Sequence, residues 1–194
     1  MNFLSHLYLS PNNSEVIIGN FVADHIRGNK FKHYSEDIQK GIFLHRKIDT
    51  FTDTNEIVKV SKRRLNKRYG HYGGVIIDIF YDHFLAKNWD SYSQIPLNVF
   101  SQSIYALLLK NRENLPEKTQ ELLPYMIQYD WLYNYQFLDG IQDVLHGMNR
   151  RTKGKSQMHL AIEDLELHYT ELENDFKTFF KEINQYIKLE IQKL

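Results

Sequence analysis

Apolar residues along the chain recur mostly at intervals of three and four, which is the spacing of amphipathic helices and not of strands. Only four prolines and nine glycines occur in 194 residues. The pattern therefore predicts an all-α chain, with turn and capping residues at the breaks. The predicted helices lie near residues 2–9, 13–27, 35–48, 54–69, 72–88, 96–112, 118–132, 134–150 and 158–192.

The last predicted helix has the most regular pattern. A stripe with spacings of three and four is typical of a long C-terminal helix that packs across a helical bundle. A helix that forms a homodimer is the alternative interpretation. The stripe consists of Leu165, Tyr169, Leu172, Phe176, Phe179, Ile183, Ile187 and Ile191.

Length and composition narrow the classes of function. A chain of 194 residues can bury a core of its own, so we expect a single domain over residues 1–194. Its 24 basic and 24 acidic side chains cancel, so the net charge favours neither nucleic acid nor an anionic membrane as partner. The absence of cysteine excludes disulfides, thiolate metal ligands and a cysteine nucleophile. We find no signal peptide and no membrane span, and expect a cytoplasmic protein.

Polar groups interrupt the apolar face of the third predicted helix. In "GIFLHRKIDTFTD", steps of three and four from Ile42 lead to His45, Ile48 and Asp49, so an imidazole and a carboxylate share the inward face. Side chains four residues apart project over the same turn and can chelate one ion. A buried ion pair that holds two helices together is the alternative. Asp53, at the end of this stretch, is expected to cap the next helix.

The stretch "GGVIIDIFYDHFLAKNW" repeats the pattern, because Asp78 and Asp82 follow one helical face and His83 lies beside it. Several ionised carboxylates in an apolar setting cost several kcal/mol and repel one another unless something compensates them. A divalent cation would remove both costs. Oxygen and imidazole ligands without sulfur suit Mn²⁺, Fe²⁺ or Mg²⁺ better than a structural zinc. A structural network with nearby arginines or Lys47 is the alternative interpretation.

Further candidates lie nearer the start of the chain. His6 is flanked by apolar residues, and Asp24 follows small residues that allow a helix or a substrate to approach. Arg27 and Arg46 could supply the planar donors that phosphate oxygens prefer. A hydrogen-bonded core histidine is the plain alternative for His6.

The run "KVSKRRLNKR", residues 59–68, has six basic residues and no acid. Such a run is usually one solvated helix face. In a neutral protein it is also the concentrated positive patch where an acidic macromolecule would dock. No aromatic stacking pattern or reading motif supports nucleic acid. The residues that we expect to bind such a partner are Lys62, Arg63, Arg64 and Lys67.

Five stretches, in the same order and spanning residues 1 to about 151, resemble the acyl carrier protein phosphodiesterases, also called acyl carrier protein hydrolases. The resemblance implies a divergent HD-domain-like fold and a Mn²⁺ or related cofactor. It also implies hydrolysis of the phosphodiester that joins 4'-phosphopantetheine to a serine of holo acyl carrier protein. The stretches are "MNFLSHLYLS", "GNFVADHIRGN", "GIFLHRKIDTFTD", "DIFYDHFLAKNW" and "FLDGIQDVLHGMNRR".

One difference from the HD-domain pattern limits which metal ligands the resemblance implies. The usual HD signature is an adjacent His-Asp, whereas this chain has Asp82-His83 and Asp24-His25 in reverse order. Our ligand assignment therefore follows helical geometry. We expect one or two metal ions to be held by Asp24, His45, Asp49, Asp78 and Asp82, with His83 as a possible further ligand.

In the mechanism that we expect, Arg27 or Arg46 offsets charge on the phosphate and His6 protonates the departing serine oxygen. Carrier proteins of this kind are acidic, so the resemblance also implies that the basic run is a docking surface for the carrier. Two alternatives stay open: a phosphohydrolase of a small nucleotide or other phosphodiester, and a helical binding module without catalysis.

Overall fold

The computed structural model describes residues 1–193. Within them the chain forms eleven α-helices and no strand, so the all-α prediction is confirmed. Short 3₁₀ turns connect several of the helices. The α-helices are Phe3–Tyr8 (α1), Ser14–Val22 (α2), Glu36–Thr54 (α3), Glu56–Arg64 (α4), Gly73–Lys87 (α5), Leu97–Lys110 (α6), Glu117–Gln128 (α7), Trp131–Asn134 (α8), Leu138–Arg151 (α9), Ala161–Leu167 (α10) and Tyr169–Ile191 (α11).

Several of the predicted helices are shortened or broken in the structure. The ones expected over 13–27 and 54–69 end at Val22 and Arg64. The one expected over 118–132 ends at Gln128, and Asp130 has a left-handed backbone with φ of 41°. A right-handed helix cannot continue through such a residue, so the chain turns there before α8. The helix expected over 158–192 is divided at His168 into α10 and α11.

Helix α5 forms the centre of the core, since almost every residue from Ile76 to Ala86 is buried. Helix α11 packs against α3, α4 and α5 through its apolar stripe, of which Phe176 and Ile183 are fully buried. Packing across the bundle is therefore the observed role of the stripe, and the homodimer stays a prediction. None of the helices in the described part of the chain has both the length and the apolar character of a membrane span.

Helices α2 and α3 make the closest pair in the fold because glycines meet at their crossing. A Cβ atom on Gly19 would lie 2.1 Å from the carbonyl oxygen of Ile38, and one on Gly41 would lie 2.2 Å from that of Val16. The two backbones are thus in direct contact, as small residues allow. This contact brings Asn20, the residue after Gly19, beside the next turn of α3.

Asparagine, not aspartate, caps helix α4. The side chain of Asn55 accepts a hydrogen bond from the amide of Ile57 at 2.9 Å. The expectation that Asp53 would cap this helix is wrong, because α3 continues through Thr54 and keeps Asp53 in its last turn. There Asp53 is exposed and pairs with Lys62.

We expect Gly19→Ala to lower the free energy of unfolding by about 1–3 kcal/mol, because the added methyl forces the two backbones apart. Urea denaturation measures the change. The matched control is Gly147→Ala in α9, where the nearest heavy atom to the new Cβ lies 3.9 Å away. That substitution should raise stability by roughly 0.5–1 kcal/mol through helix propensity alone. Equal effects of the two variants would contradict the direct backbone contact.

Candidate metal centre

Two imidazole rings from different helices lie stacked in the interior. His6 comes from α1 and His45 from α3; their centroids are 4.0 Å apart and their planes differ by 18°. Both side chains are buried, with 3% and 6% of their surface exposed. Parallel rings at this distance cannot both be protonated without strong repulsion. The pair therefore holds at most one positive charge of its own.

One asparagine orients both rings. Asn20 Oδ1 lies 2.9 Å from His6 Nδ1, and the carbonyl oxygen of Asn20 lies 2.8 Å from His45 Nδ1. Its Nδ2 donates to the carbonyl of His6 and to Ser10 Oγ, which fixes Oδ1 as the acceptor. Both Nδ1 atoms therefore carry a hydrogen. In the neutral rings the lone pairs are then on both Nε2 atoms.

Carboxylates face these two Nε2 atoms. Asp49, one turn after His45 on α3, places Oδ2 at 3.1 Å from His45 Nε2 and Oδ1 at 3.2 Å from His6 Nε2. Asp24, in the 3₁₀ turn after α2, places Oδ1 at 3.2 Å from His45 Nε2. Donor atoms of His6, His45 and Asp49 all lie within 4.8 Å of one another, a spacing that one metal ion could bridge.

The charges of this cluster shift the pKa values of both imidazoles in opposite directions. Burial opposes a charged His45, but its contacts with Asp24 and Asp49 outweigh burial and raise its pKa to about 9. Burial and the charge of His45 lower the pKa of His6. Among the described residues, His6 Nε2 finds no hydrogen-bond partner of acceptable geometry. A buried lone pair that faces carboxylates is costly.

The same imidazoles hold both acids in the ionised form. Burial favours neutral Asp49, but the two rings outweigh it and lower its pKa. The contact with His45 lowers the pKa of Asp24. Two ionised carboxylates and an imidazole nitrogen without a partner form the donor set that a divalent cation of the Mn²⁺, Fe²⁺ or Mg²⁺ type accepts. The residues present therefore fit such an ion.

The cluster lies between two cavities. A small one of about 20 Å³ touches His6, Asn20 and His45, and has room for one water molecule or one ion. An open cleft of about 600 Å³ begins at Asp49 and extends to the chain segment before α5. A cleft of that size can bind part of a small organic molecule. The seven polar side chains that line it are Asp24, Asp49, Thr52, Asp53, Lys62, His71 and Asp78.

Asp78 and Asp82 were predicted as ligands from their spacing on α5, but neither joins the His6–His45–Asp49 group. Asp78 lines the cleft, and its Oδ1 lies 2.9 Å from the amino nitrogen of Met1. Asp82 is fully buried and accepts hydrogen bonds from the amides of Leu4 and Ser5 at 2.7 and 3.1 Å. The hydroxyl of Ser5 donates to it as well.

Asp82 therefore caps the N-terminus of α1, where unpaired amides and the helix dipole favour a negative group. Burial raises its pKa to about 7, against the opposing effect of these donors. Helix α1 carries His6. Asp82 therefore helps to position the His6–His45–Asp49 group although it does not belong to that group. The inward-facing acid that the sequence indicated is real, but its partners are backbone amides.

His83 lies outside the metal-ligand group as well. Its Nδ1 lies 2.8 Å from the carbonyl oxygen of Tyr135, and its Nε2 lies 2.7 Å from the hydroxyl of Tyr169. Burial lowers the pKa of His83, so the ring is neutral and both nitrogens already have partners. Helix α5 directs this ring toward α11, away from the His6–His45–Asp49 group.

Neither arginine assigned to the phosphate reaches the cleft in the described structure. The guanidinium of Arg46 lies over the rings of Phe31 and Phe43, 5.2 and 5.7 Å from their centroids. Arg27 is exposed in the segment before the 3₁₀ turn Gly28–His33. Arg46 follows His45 by one residue, and a rotation of about 100° per residue turns it away from the site.

The basic run does not form one surface. Arg64 Nε lies 3.0 Å from Asp175 Oδ2, which ties α4 to α11. Lys62 lines the cleft. Arg63 and Lys67 are exposed, and neither forms an ion pair with any residue that the structure describes. Of the four residues predicted to bind a partner, these two alone are free to do so.

Sequence reasoning missed Asn20 and His71. Asn20 had a readable signal: it is an amide within the continuously buried run from Ile18 to Val22, where a polar side chain needs a specific partner. His71 lies in the 3₁₀ turn before α5, with its ring tilted by 38° against that of Tyr72 and the centroids 3.9 Å apart. No periodic pattern predicts that this turn borders the cleft.

The fold and the site define a helical protein with a possible His/Asp metal centre beside an open cleft. The family described as acyl carrier protein phosphodiesterase matches residues 1–183, and the chain belongs to this family. The resemblance stated from the sequence motifs is thereby confirmed.

Relatives called acyl carrier protein phosphodiesterase match nearly the whole chain. The one from Photorhabdus laumondii is 35% identical over 184 residues, 93% of this chain and 91% of the relative. Those from Yersinia enterocolitica and Pectobacterium atrosepticum are 34% and 32% identical, over 93% and 97% of this chain and 94% and 98% of their own. No solved structure matches the chain significantly, so the HD-domain-like label stays a prediction.

We expect Asp82→Ala to lower the free energy of unfolding by about 2–4 kcal/mol, because two buried amides and a hydroxyl lose their acceptor. Thermal and urea denaturation measure the loss. Asp143→Ala is the control and should change the free energy of unfolding by less than about 0.5 kcal/mol, since Asp143 is exposed on α9. A fully stable Asp82→Ala protein that has lost metal binding would restore Asp82 as a ligand.

Proposed function

We propose that this chain hydrolyses the phosphodiester that joins 4'-phosphopantetheine to a serine of holo acyl carrier protein, and that it does so with a divalent metal ion. Membership of the acyl carrier protein phosphodiesterase family supports the reaction. The observation that carries the metal dependence is the buried His6 Nε2, which faces Asp49 without a hydrogen-bond partner.

In this proposal His6, His45 and Asp49 hold the ion, and Asp24 completes the set from the exposed side. When bound, a divalent cation of the Mn²⁺ type lowers the pKa of water and withdraws charge from a phosphoryl oxygen. Asn20 keeps both Nε2 atoms directed at the centre, a supporting role that commonly changes metal affinity by about 10–100-fold. His6 thus becomes a ligand in the proposal and is no longer the proton donor.

The departing serine oxygen needs a proton, because an alkoxide is a poor leaving group. Outside the metal cluster, His71 is the imidazole that lines the cleft. An imidazole titrates near working pH and is suited to this transfer. We therefore assign the role of proton donor to His71, on the turn before α5.

The carrier protein would approach from the side of α4. Arg63 and Lys67 are exposed there, close in the chain to Lys62 in the cleft. Positive groups on that rim match an acidic carrier and speed its association. A cytoplasmic location and a single domain over the whole chain fit this proposal and stay predictions, as does the homodimer.

Incubation with holo acyl carrier protein and Mn²⁺ should convert the carrier into its apo form, which mass spectrometry detects as loss of the phosphopantetheine mass. Removal of the metal with a chelator should stop turnover, and added Mn²⁺ should restore it. Asp49→Asn should lower kcat by about 10³-fold or more, since it removes the carboxylate that links both imidazoles. Full activity after exhaustive chelation would refute the metal-dependent proposal.

Arg63→Ala combined with Lys67→Ala should raise KM for the carrier about 10-fold and leave kcat nearly unchanged, because rim charges act mainly on association. Steady-state kinetics at low and high salt measure this effect, which salt should diminish. Turnover of bis(4-nitrophenyl) phosphate, which has no carrier, should not change. Equal loss with both substrates would place these residues in the chemistry and not in docking.

A further inference from the structure

Lys62 is part of the basic run in the sequence, but in the fold its side chain lines the cleft. It lies in the last turn of α4, and its side chain lines the same cleft as Asp49 and Asp78. A Cβ atom on Gly74 would lie 3.3 Å from Lys62 Nζ, so the missing side chain at Gly74 leaves room for the ammonium. Its contact with Asp53 is long, at 3.4 Å from Nζ to Oδ1.

The charges of the side chains that line the cleft indicate what the Lys62 ammonium binds. Among the described residues that line the cleft, four are aspartates, and the cations are Lys62 and the buried amino group of Met1, which is already paired with Asp78. A phosphodiester that enters would meet repulsion from every carboxylate that neither the metal nor this amino group neutralises. Lys62 is placed to offset that repulsion. An ammonium has three hydrogens, so it can bind a phosphate oxygen and still keep its contact with Asp53.

We propose that Lys62 is a substrate-positioning residue whose ammonium binds the non-bridging oxygens of the substrate's phosphate in the cleft. The inference rests on the proposed function in so far as the substrate is a phosphodiester. It separates Lys62 from Arg63 and Lys67, which lie outside the cleft. It also replaces Arg27 and Arg46 as the source of positive charge for the phosphate.

The neighbouring residue offers a matched control. Lys62 and Arg63 are adjacent on α4, but one lines the cleft and the other faces solvent. Lys62→Met removes the charge and keeps the length of the side chain, and Lys62→Arg keeps the charge. Arg63→Met applies the same change outside the cleft. None of these residues is buried, so we expect all three variants to fold with the thermal melt and metal content of the wild type.

The kinetic test uses two substrates, holo acyl carrier protein and bis(4-nitrophenyl) phosphate. Lys62→Met should lower kcat/KM for both by about 10–100-fold, the effect of losing one charge-assisted hydrogen bond. Lys62→Arg should recover most of that loss. Arg63→Met should affect the carrier alone. Loss confined to the carrier in Lys62→Met, or no loss at all, would overturn the proposal.

A binding measurement tests Lys62 independently of turnover. Titration calorimetry with inorganic phosphate, with and without Mn²⁺, should show about 10-fold weaker binding to Lys62→Met than to the wild type or to Arg63→Met. Equal phosphate affinity in all three proteins would overturn the role of Lys62. If the wild type cleaves neither substrate yet phosphate binding still depends on Lys62, the proposed function fails and the phosphate site stands.

Discussion

The structure depends on how charge is balanced around two buried imidazoles. His6 and His45 are stacked, their Nδ1 atoms are bound to Asn20, and their Nε2 atoms face Asp49. A single proton can satisfy His45 but leaves His6 Nε2 without a partner, because the rings are too close for a second charge. A divalent cation would satisfy both nitrogens and the carboxylates together. Such compensation would offset the cost of placing these groups beside an apolar interior.

Much of the surrounding fold serves to hold this arrangement. The glycine contact between α2 and α3 brings Asn20 and His45 together, and a larger residue at Gly19 would separate them. Asp82 on α5 holds the first turn of α1 and so fixes the helix that carries His6. Two acids on inward faces thus have different roles: Asp49, which is partly exposed, faces the site, and the buried Asp82 acts through the backbone of α1. Both produce the same sequence signal of a carboxylate on an apolar face.

A carboxylate on an apolar helix face could be recognised from the sequence, but its partners could not. Period and turn residues predicted the helices, and the inward His45–Asp49 pair indicated the metal site. Periodicity indicates that a side chain points inward but not which neighbour it contacts. Asp82 and His83 were therefore assigned to the ion, although α1 and α11 supply their partners. The breaks at Asp130 and His168 have no signature in the spacing of the apolar residues. Lys62 and Arg63 are equivalent in sequence, and only the fold places one of them in the cleft.

The most direct test of the central claim is crystallography of the protein soaked in Mn²⁺, with anomalous scattering at the manganese edge. The account predicts a peak within ligand distance of His6 Nε2, His45 Nε2 and an Asp49 oxygen, with Asp24 at its exposed side. A peak at Asp82 and His83 instead, or none at saturating Mn²⁺ while His6 and His45 keep their present contacts, would contradict it.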